Sequence, residues 1–159
     1  MQAFEPDLEL LRHYRRDLHQ IPEVGFELPE TLSYVHGVLE SLLTTSFGKT
    51  GKLRIWSPAK SCLCAFFDIG AQHTLAVRAD MDGLPVSEDS GVSFASKHAG
   101  KMHACGHDGH MAMALGLARW LALHPEEASV NVLVIFEPAE ETTGGARTVI
   151  ESGALKECV

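Results

Sequence analysis

Apolar residues recur along this chain at two different spacings, and the switches between them mark out helices and strands. Over residues 7–20, Leu8, Leu11, Tyr14 and Leu18 share a stripe with Arg12, Arg15, Arg16 and Asp17 around it, which predicts a first helix that Pro22 ends. A second helix is expected over residues 29–43, where Leu32, Val35, Leu39 and Leu42 keep the period. The pattern then shortens to runs of β-branched and aromatic residues bounded by turn residues, predicting strands at Leu53–Trp56 and at residues 62–68 and 74–79. The short connection Ile69-Gly70-Ala71-Gln72-His73 suggests that the last two pair as a hairpin. Helical spacing returns with Met111, Leu115, Ala118 and Ala122, over about residues 109–124. Residues 131–136, Asn-Val-Leu-Val-Ile-Phe, form a continuous apolar run, expected to be a central strand buried on both faces. The helix before it is a crossover long enough for parallel pairing, and residues 142–150 suggest one more helix.

Alternating helices and strands point to an α/β fold, a mixed, largely parallel sheet flanked by helices. In such sheets ligands gather at the carboxyl ends of strands. That rule sorts the acidic residues: Asp80 and Asp82 follow one strand, and Glu137, Glu140 and Glu141 follow another.

Composition adds mainly exclusions. The 159 residues are 45% hydrophobic and 21% charged, enough for one ordinary core or a piece of a larger protein. No apolar run approaches the roughly 18 residues of a membrane span, and the charged N-terminal stretch is unlike a signal peptide, so a cytoplasmic location is expected. A net charge of −8 argues against a nucleic-acid surface. The four cysteines, Cys62, Cys64, Cys105 and Cys158, have no disulfide-framework spacing, and Cys62 and Cys64 read as core residues on one strand face.

Candidate chemistry concentrates at Met102-His103-Ala104-Cys105-Gly106-His107-Asp108-Gly109-His110. Three imidazoles, a thiol and a carboxylate in so short a stretch suit a divalent transition metal. Two glycines allow tight turns between them. No Cys-x-x-Cys pair accompanies the stretch, so an open catalytic site is a better reading than a structural zinc module. Asp108 is placed to cap the helix that follows. Collecting a thiol, imidazoles and carboxylates at one sheet edge calls for cations, and two divalent ions would polarise a carbonyl and activate water. The adjacent Glu140 and Glu141 suit a split between metal binding and proton transfer, or simply begin the next helix near its positive end.

Three segments, Arg78-Ala79-Asp80-Met81-Asp82-Gly83-Leu84-Pro85, the stretch from Met102 to His110, and Phe136-Glu137-Pro138-Ala139-Glu140-Glu141, resemble signature segments of the M20 metallopeptidase family. The resemblance is to its amidohydrolase branch acting on N-acyl amino acids, which includes hippurate hydrolases, auxin-conjugate hydrolases and N-acetyldiaminopimelate deacetylases. Arg16-Asp17-Leu18-His19-Gln20-Ile21-Pro22-Glu23 with Gly25-Phe26 is similar to the N-terminal segment of that branch. The resemblance implies a metallo-exopeptidase-like catalytic domain with two divalent ions (zinc, manganese, cobalt or nickel) and a small N-acyl amino acid as substrate. It implies Cys105, His107 and Glu141 as metal ligands, Glu140 as general base and Asp80 as the supporting aspartate. His103, Asp108 and His110 receive no assignment, and Glu137 stands where the branch usually has Gln. Family members continue with further histidine ligands and an inserted dimerisation domain that makes the whole enzyme a homo-oligomer. Residues 1–159 are therefore expected to be the N-terminal portion of such a catalytic domain, inactive alone. The competing readings are a metal-binding or interaction fragment without chemistry and a thiol redox module at Cys105, for which no resolving cysteine stands nearby.

Overall fold

The computed structural model describes residues 7–142 and 144–156, so Cys158 lies outside the described residues. Four strands, β1 (Leu53–Trp56), β2 (Leu63–Phe67), β3 (Thr74–Asp80) and β4 (Asn131–Glu137), form one sheet in the order β1-β2-β4-β3. The helices are α1 (Leu8–His19), α2 (Pro29–Leu42), α3 (His107–Leu123) and α4 (Gly145–Glu151). Asp7 caps α1, its carboxylate accepting from the Leu10 amide at 3.0 Å.

The sheet is mixed, as the alternation of elements predicts. β3 and β4 pair in parallel through the α3 crossover, whereas β2 runs antiparallel to both β1 and β4. The parallel share is thus smaller than expected, and the hairpin expected of β2 and β3 does not form. β4 lies between them, its all-buried run occupying the centre. The outward half of β3, where Leu75 is 56% exposed, belongs at a sheet edge.

Alternation along the central strands sends side chains to two layers. Leu63, Ala65 and Phe67 with Val132, Val134 and Phe136 meet Leu18, Val35, Leu39, Met111 and Leu115 from α1, α2 and α3. Cys62, Cys64, Phe66, Leu133 and Ile135 meet Val149 and Ala154 on the other face, so the two cysteines are core residues. Helix α1 lies so close on α3 that a Cβ at Gly116 would come within 2.4 Å of Leu11 Cδ2. Leu8, counted on the apolar stripe of α1, is 56% exposed.

Residues 81–106 run from β3 to α3 and are pinned at several points. Leu84 and Met102 exchange backbone hydrogen bonds of 2.9 and 3.0 Å. The Gly83 amide donates to Glu23 O, the Lys97 amide to Gln20 O, and His98 Nδ1 to Pro22 O at 2.8 Å. The segment around Pro22 therefore fixes the path into α3. No described helix is long and apolar enough to cross a membrane.

Candidate metal centre

Helix α3 starts two residues earlier than its apolar spacing suggests, and this makes His107 its first residue. Gly106 stands before it in the left-handed region, φ 83°, where an L side chain is disfavoured. Asp108 is not the cap. Its carboxylate turns inward, fully buried, to His19 Nδ1 at 2.8 Å and Arg15 Nε at 3.2 Å, while its other oxygen accepts from the Gly109 amide.

His107 is held in one tautomer. Its Nδ1 lies 2.7 Å from the Asp82 carbonyl oxygen, which can only accept, so Nδ1 carries the proton and Nε2 keeps its lone pair. Nε2 faces Glu141 Oε1 at 3.7 Å and Asp80 Oδ2 at 4.0 Å. A metal-binding histidine is commonly oriented by such a bond from its other nitrogen.

Ala139 puts the two glutamates in place. It is fully buried with φ 56°, a left-handed conformation that costs an L residue about 1 kcal/mol or more. Its carbonyl accepts from the Gly144 and Gly145 amides. Helix α4 consequently begins at Gly145 instead of near Thr142, so Glu140 and Glu141 lie in the turn before it and do not open a helix. The buried Asp82 carboxylate accepts from both their amides, at 3.0 Å from Glu140 and 3.2 Å from Glu141. Burial raises the Asp82 pKa against the opposing pull of those two N–H groups.

Asp80, at the end of β3, is fixed by Arg78, whose Nε lies 3.0 Å from Oδ1; Arg78 also reaches Glu137 Oε1 at 3.6 Å. Burial raises the pKa of Glu137, with Arg78 opposing. Cys105 is exposed, and its thiol donates to the Glu141 carboxylate. That hydrogen bond first, then partial loss of water and the charges of Glu141, Glu140 and Asp82, raises its pKa. Buried His103 has no hydrogen-bond partner at either ring nitrogen among the described residues, and burial pulls its pKa down to about 4.

The structure thus brings Asp80, His107, Glu140 and Glu141 to one sheet edge with the Cys105 thiol beside Glu141. Among the described residues, donor atoms of His107, Glu140 and Glu141 lie within 4.8 Å of one another, and so do those of Asp80, His107 and His110. A free imidazole nitrogen, several carboxylates, a thiol and a single nearby guanidinium suit a divalent cation. The supporting hydrogen bonds of His107, Glu140 and Glu141 are accepted by Asp82. The signal for Asp82 was its place two residues beyond Asp80 on the far side of the strand end. Arg78 stands two residues before Asp80, within the segment already singled out, whereas His19, the partner of Asp108, lies 89 residues away in sequence.

Comparison with known proteins agrees with this picture. A family model for peptidase family M20/M25/M40 matches residues 76–158. The chain is 44% identical over 144 residues to an N-acetyldiaminopimelate deacetylase of Streptococcus uberis, covering 90% of this chain and 36% of the relative. A second N-acetyldiaminopimelate deacetylase, from Shouchella clausii, is 43% identical over 145 residues, 91% of this chain and 36% of its own length. The chain therefore spans little more than a third of these relatives. The crystal structure of Bacillus subtilis YXEP protein, a dinuclear metal-binding peptidase of the M20 family, superposes with a TM-score of 0.79 at 37% identity, covering 91% of this chain and 39% of that one. With that match extending over most of β3, α3, β4 and α4, the chain belongs to the peptidase family M20/M25/M40.

Proposed function

We propose that this chain is the metal-binding part of a hydrolase that removes the acyl group from an N-acyl amino acid, with an N-acetylated diamino acid as the first substrate to test. The observation that carries this reading is the Asp82 clamp: one buried residue holds His107 Nδ1 through its carbonyl and both glutamate amides through its carboxylate. His107 and Glu141, with Cys105 beside them, would hold an ion. Divalent ions bound here would polarise the amide carbonyl and lower the pKa of water.

The remaining chemistry belongs to the chain. Glu140 is exposed, whereas the Glu141 side chain is 20% exposed and faces His107, so Glu140 is the carboxylate free to take a proton and return it to a leaving amine. The Asp82 clamp fixes the backbone from which the two carboxylates project. Asp80 and Asp82 are both held as supports, Asp80 by Arg78 and Asp82 by the two amides. Names of relatives support the acyl-amino-acid substrate, and the missing two thirds of their length supports the reading that residues 1–159 need further ligands to work.

The test joins this chain to the remaining portion of the Streptococcus uberis relative and measures release of amino acid from N-acetyldiaminopimelate and N-benzoylglycine with zinc, manganese, cobalt or nickel. The joined protein should turn over and the 159-residue chain should not. Glu140→Gln should lower turnover about 10²-fold or more with metal content retained, as loss of a general acid/base does. A joined protein that binds metal but hydrolyses neither substrate would instead favour a metal-binding role without chemistry.

A further inference from the structure

We propose that Asp80, His107 and His110 form a second, alternative position for a divalent cation, on the β3 side of His107 and away from Glu140 and Glu141. His107 and His110 are three residues apart in the first turn of α3 and so project from the same face. Their ring centroids are 5.4 Å apart with planes inclined by 31°. Asp80 approaches them from the end of β3, its Oδ2 4.0 Å from His107 Nε2 and 4.0 Å from His110 Nδ1. Four-coordinate zinc with bonds of about 2.0–2.1 Å separates neighbouring donors by roughly 3.3 Å, so the two Asp80 edges need to close by under about 1 Å, and all three donor atoms already lie within 4.8 Å of one another. Two imidazoles and one carboxylate, with further positions open, are a donor set for zinc and other first-row ions.

The surroundings fit an open site. The His110 side chain is 48% exposed and opens on a groove of about 410 Å³ lined by Val77, Arg78, Met113 and Leu117. Remaining coordination positions would face that groove. The positive charge beside Asp80 among the described residues is Arg78. It lies against both Asp80 oxygens, Nε 3.0 Å from Oδ1 and a terminal nitrogen donating to Oδ2 at 3.3 Å, and divides its charge with Glu137, so an ion taking Oδ2 would compete with that hydrogen bond while Oδ1 has no hydrogen-bond partner among the described residues.

Nothing assigned to the Glu140 and Glu141 side requires His110, yet both positions draw on one atom. His107 Nδ1 is committed to Asp82, so Nε2 offers a single lone pair to an ion on either the Glu141 side or the Asp80 and His110 side. An ion held at His110 therefore withdraws His107 from the glutamates, and the two positions compete. Excess metal would occupy the wrong side of His107.

This inference concerns metal binding and stands apart from the hydrolytic reading. The experiment measures zinc affinity of the 159-residue chain by equilibrium dialysis, unchanged and as His110→Ala, Glu141→Gln and the double variant, with the His110 ring ¹⁵N resonances followed by NMR. In Glu141→Gln, zinc should shift the His110 Nδ1 resonance, and adding His110→Ala should weaken binding at least tenfold or so, since even partners of ligands cost that much. Equal affinities with and without His110 in the Glu141→Gln background, a His110 resonance that stays still while zinc binds, or no zinc binding at all would each overturn the proposal. The NMR measurement needs no change at His110, so it decides the matter even should the alanine variant fold poorly. Zinc at His110 without hydrolysis by the joined protein would refute only the hydrolytic reading; hydrolysis with a silent His110 would refute only this one.

Discussion

His107 and Asp108 are neighbours in the first turn of α3, yet they belong to two charged clusters of opposite character. On the Asp108 side, His19 lies between two carboxylates, Asp108 at 2.8 Å and Glu88 at 3.1 Å, with side-chain exposures of 7%, 0% and 4%. Phe94 packs edge-on against the ring, and Arg16 lies over Phe94. Every polar atom of that imidazole is used. On the His107 side an almost identical residue set leaves Nε2 unused and a thiol exposed. Residue type does not separate a structural cluster from a site. The unspent lone pair does, because a group satisfied on all sides has nothing left to offer a ligand.

The contrast fails first if the closed cluster does not carry stability. His19→Ala leaves Asp108 and Glu88 buried without their shared partner, and breaking such an arrangement costs on the order of 3–5 kcal/mol; urea unfolding of the chain with and without the change measures it. A loss below about 1 kcal/mol would put the two clusters in one class. Asp82→Ala comes next, since it strips the acceptor from the Glu140 and Glu141 amides. The expected loss is about 2–3 kcal/mol together with weakened zinc binding, so this residue should register in both unfolding and dialysis.

Acid should separate the clusters more gently. Burial alone would raise the Glu88 pKa, but hydrogen bonds from Ser90, the Ser96 amide and His19 outweigh it and bring the value down from 4.5 to about 2. A carboxylate depressed on folding contributes stability that is present above 4.5 and is lost as pH falls through about 2. The urea midpoint of the unchanged chain should therefore converge on that of Glu88→Gln across this window. The smallest effect on folding belongs to the open side: exposed Cys105→Ser should leave the urea midpoint unchanged, while zinc affinity falls roughly tenfold or more, as expected when a donor or its supporting partner is replaced.

Much of this was legible in the sequence because it depends on local pattern. The periods of α1, α2 and α3, the all-apolar run of β4 and the gathering of Asp80, His107, Glu140 and Glu141 at strand ends follow from spacing and from the placement of loops. What was missed depends on partners distant in the chain. The pairing of β2 with β4 in place of β3 is decided by which strand best fills the centre, and the inward turn of Asp108 is decided by His19, 89 residues away. The late start of α4 follows from the left-handed turn at Ala139, where no glycine advertised it.

The position of β4 bears on how the molecule assembles. β2 and β3 are joined by only a few residues, yet the sheet keeps them apart by the width of a strand, and that place is filled by residues 131–137. The short-range hairpin closes with little loss of chain entropy, whereas the native pairing waits for a loop spanning the whole of α3. A nascent chain that has not yet released Asn131 can make the wrong sheet and cannot make the right one. A change that favours the β2–β3 hairpin is therefore expected to slow refolding, measured from the rate after dilution out of urea, even where it leaves the finished structure untouched.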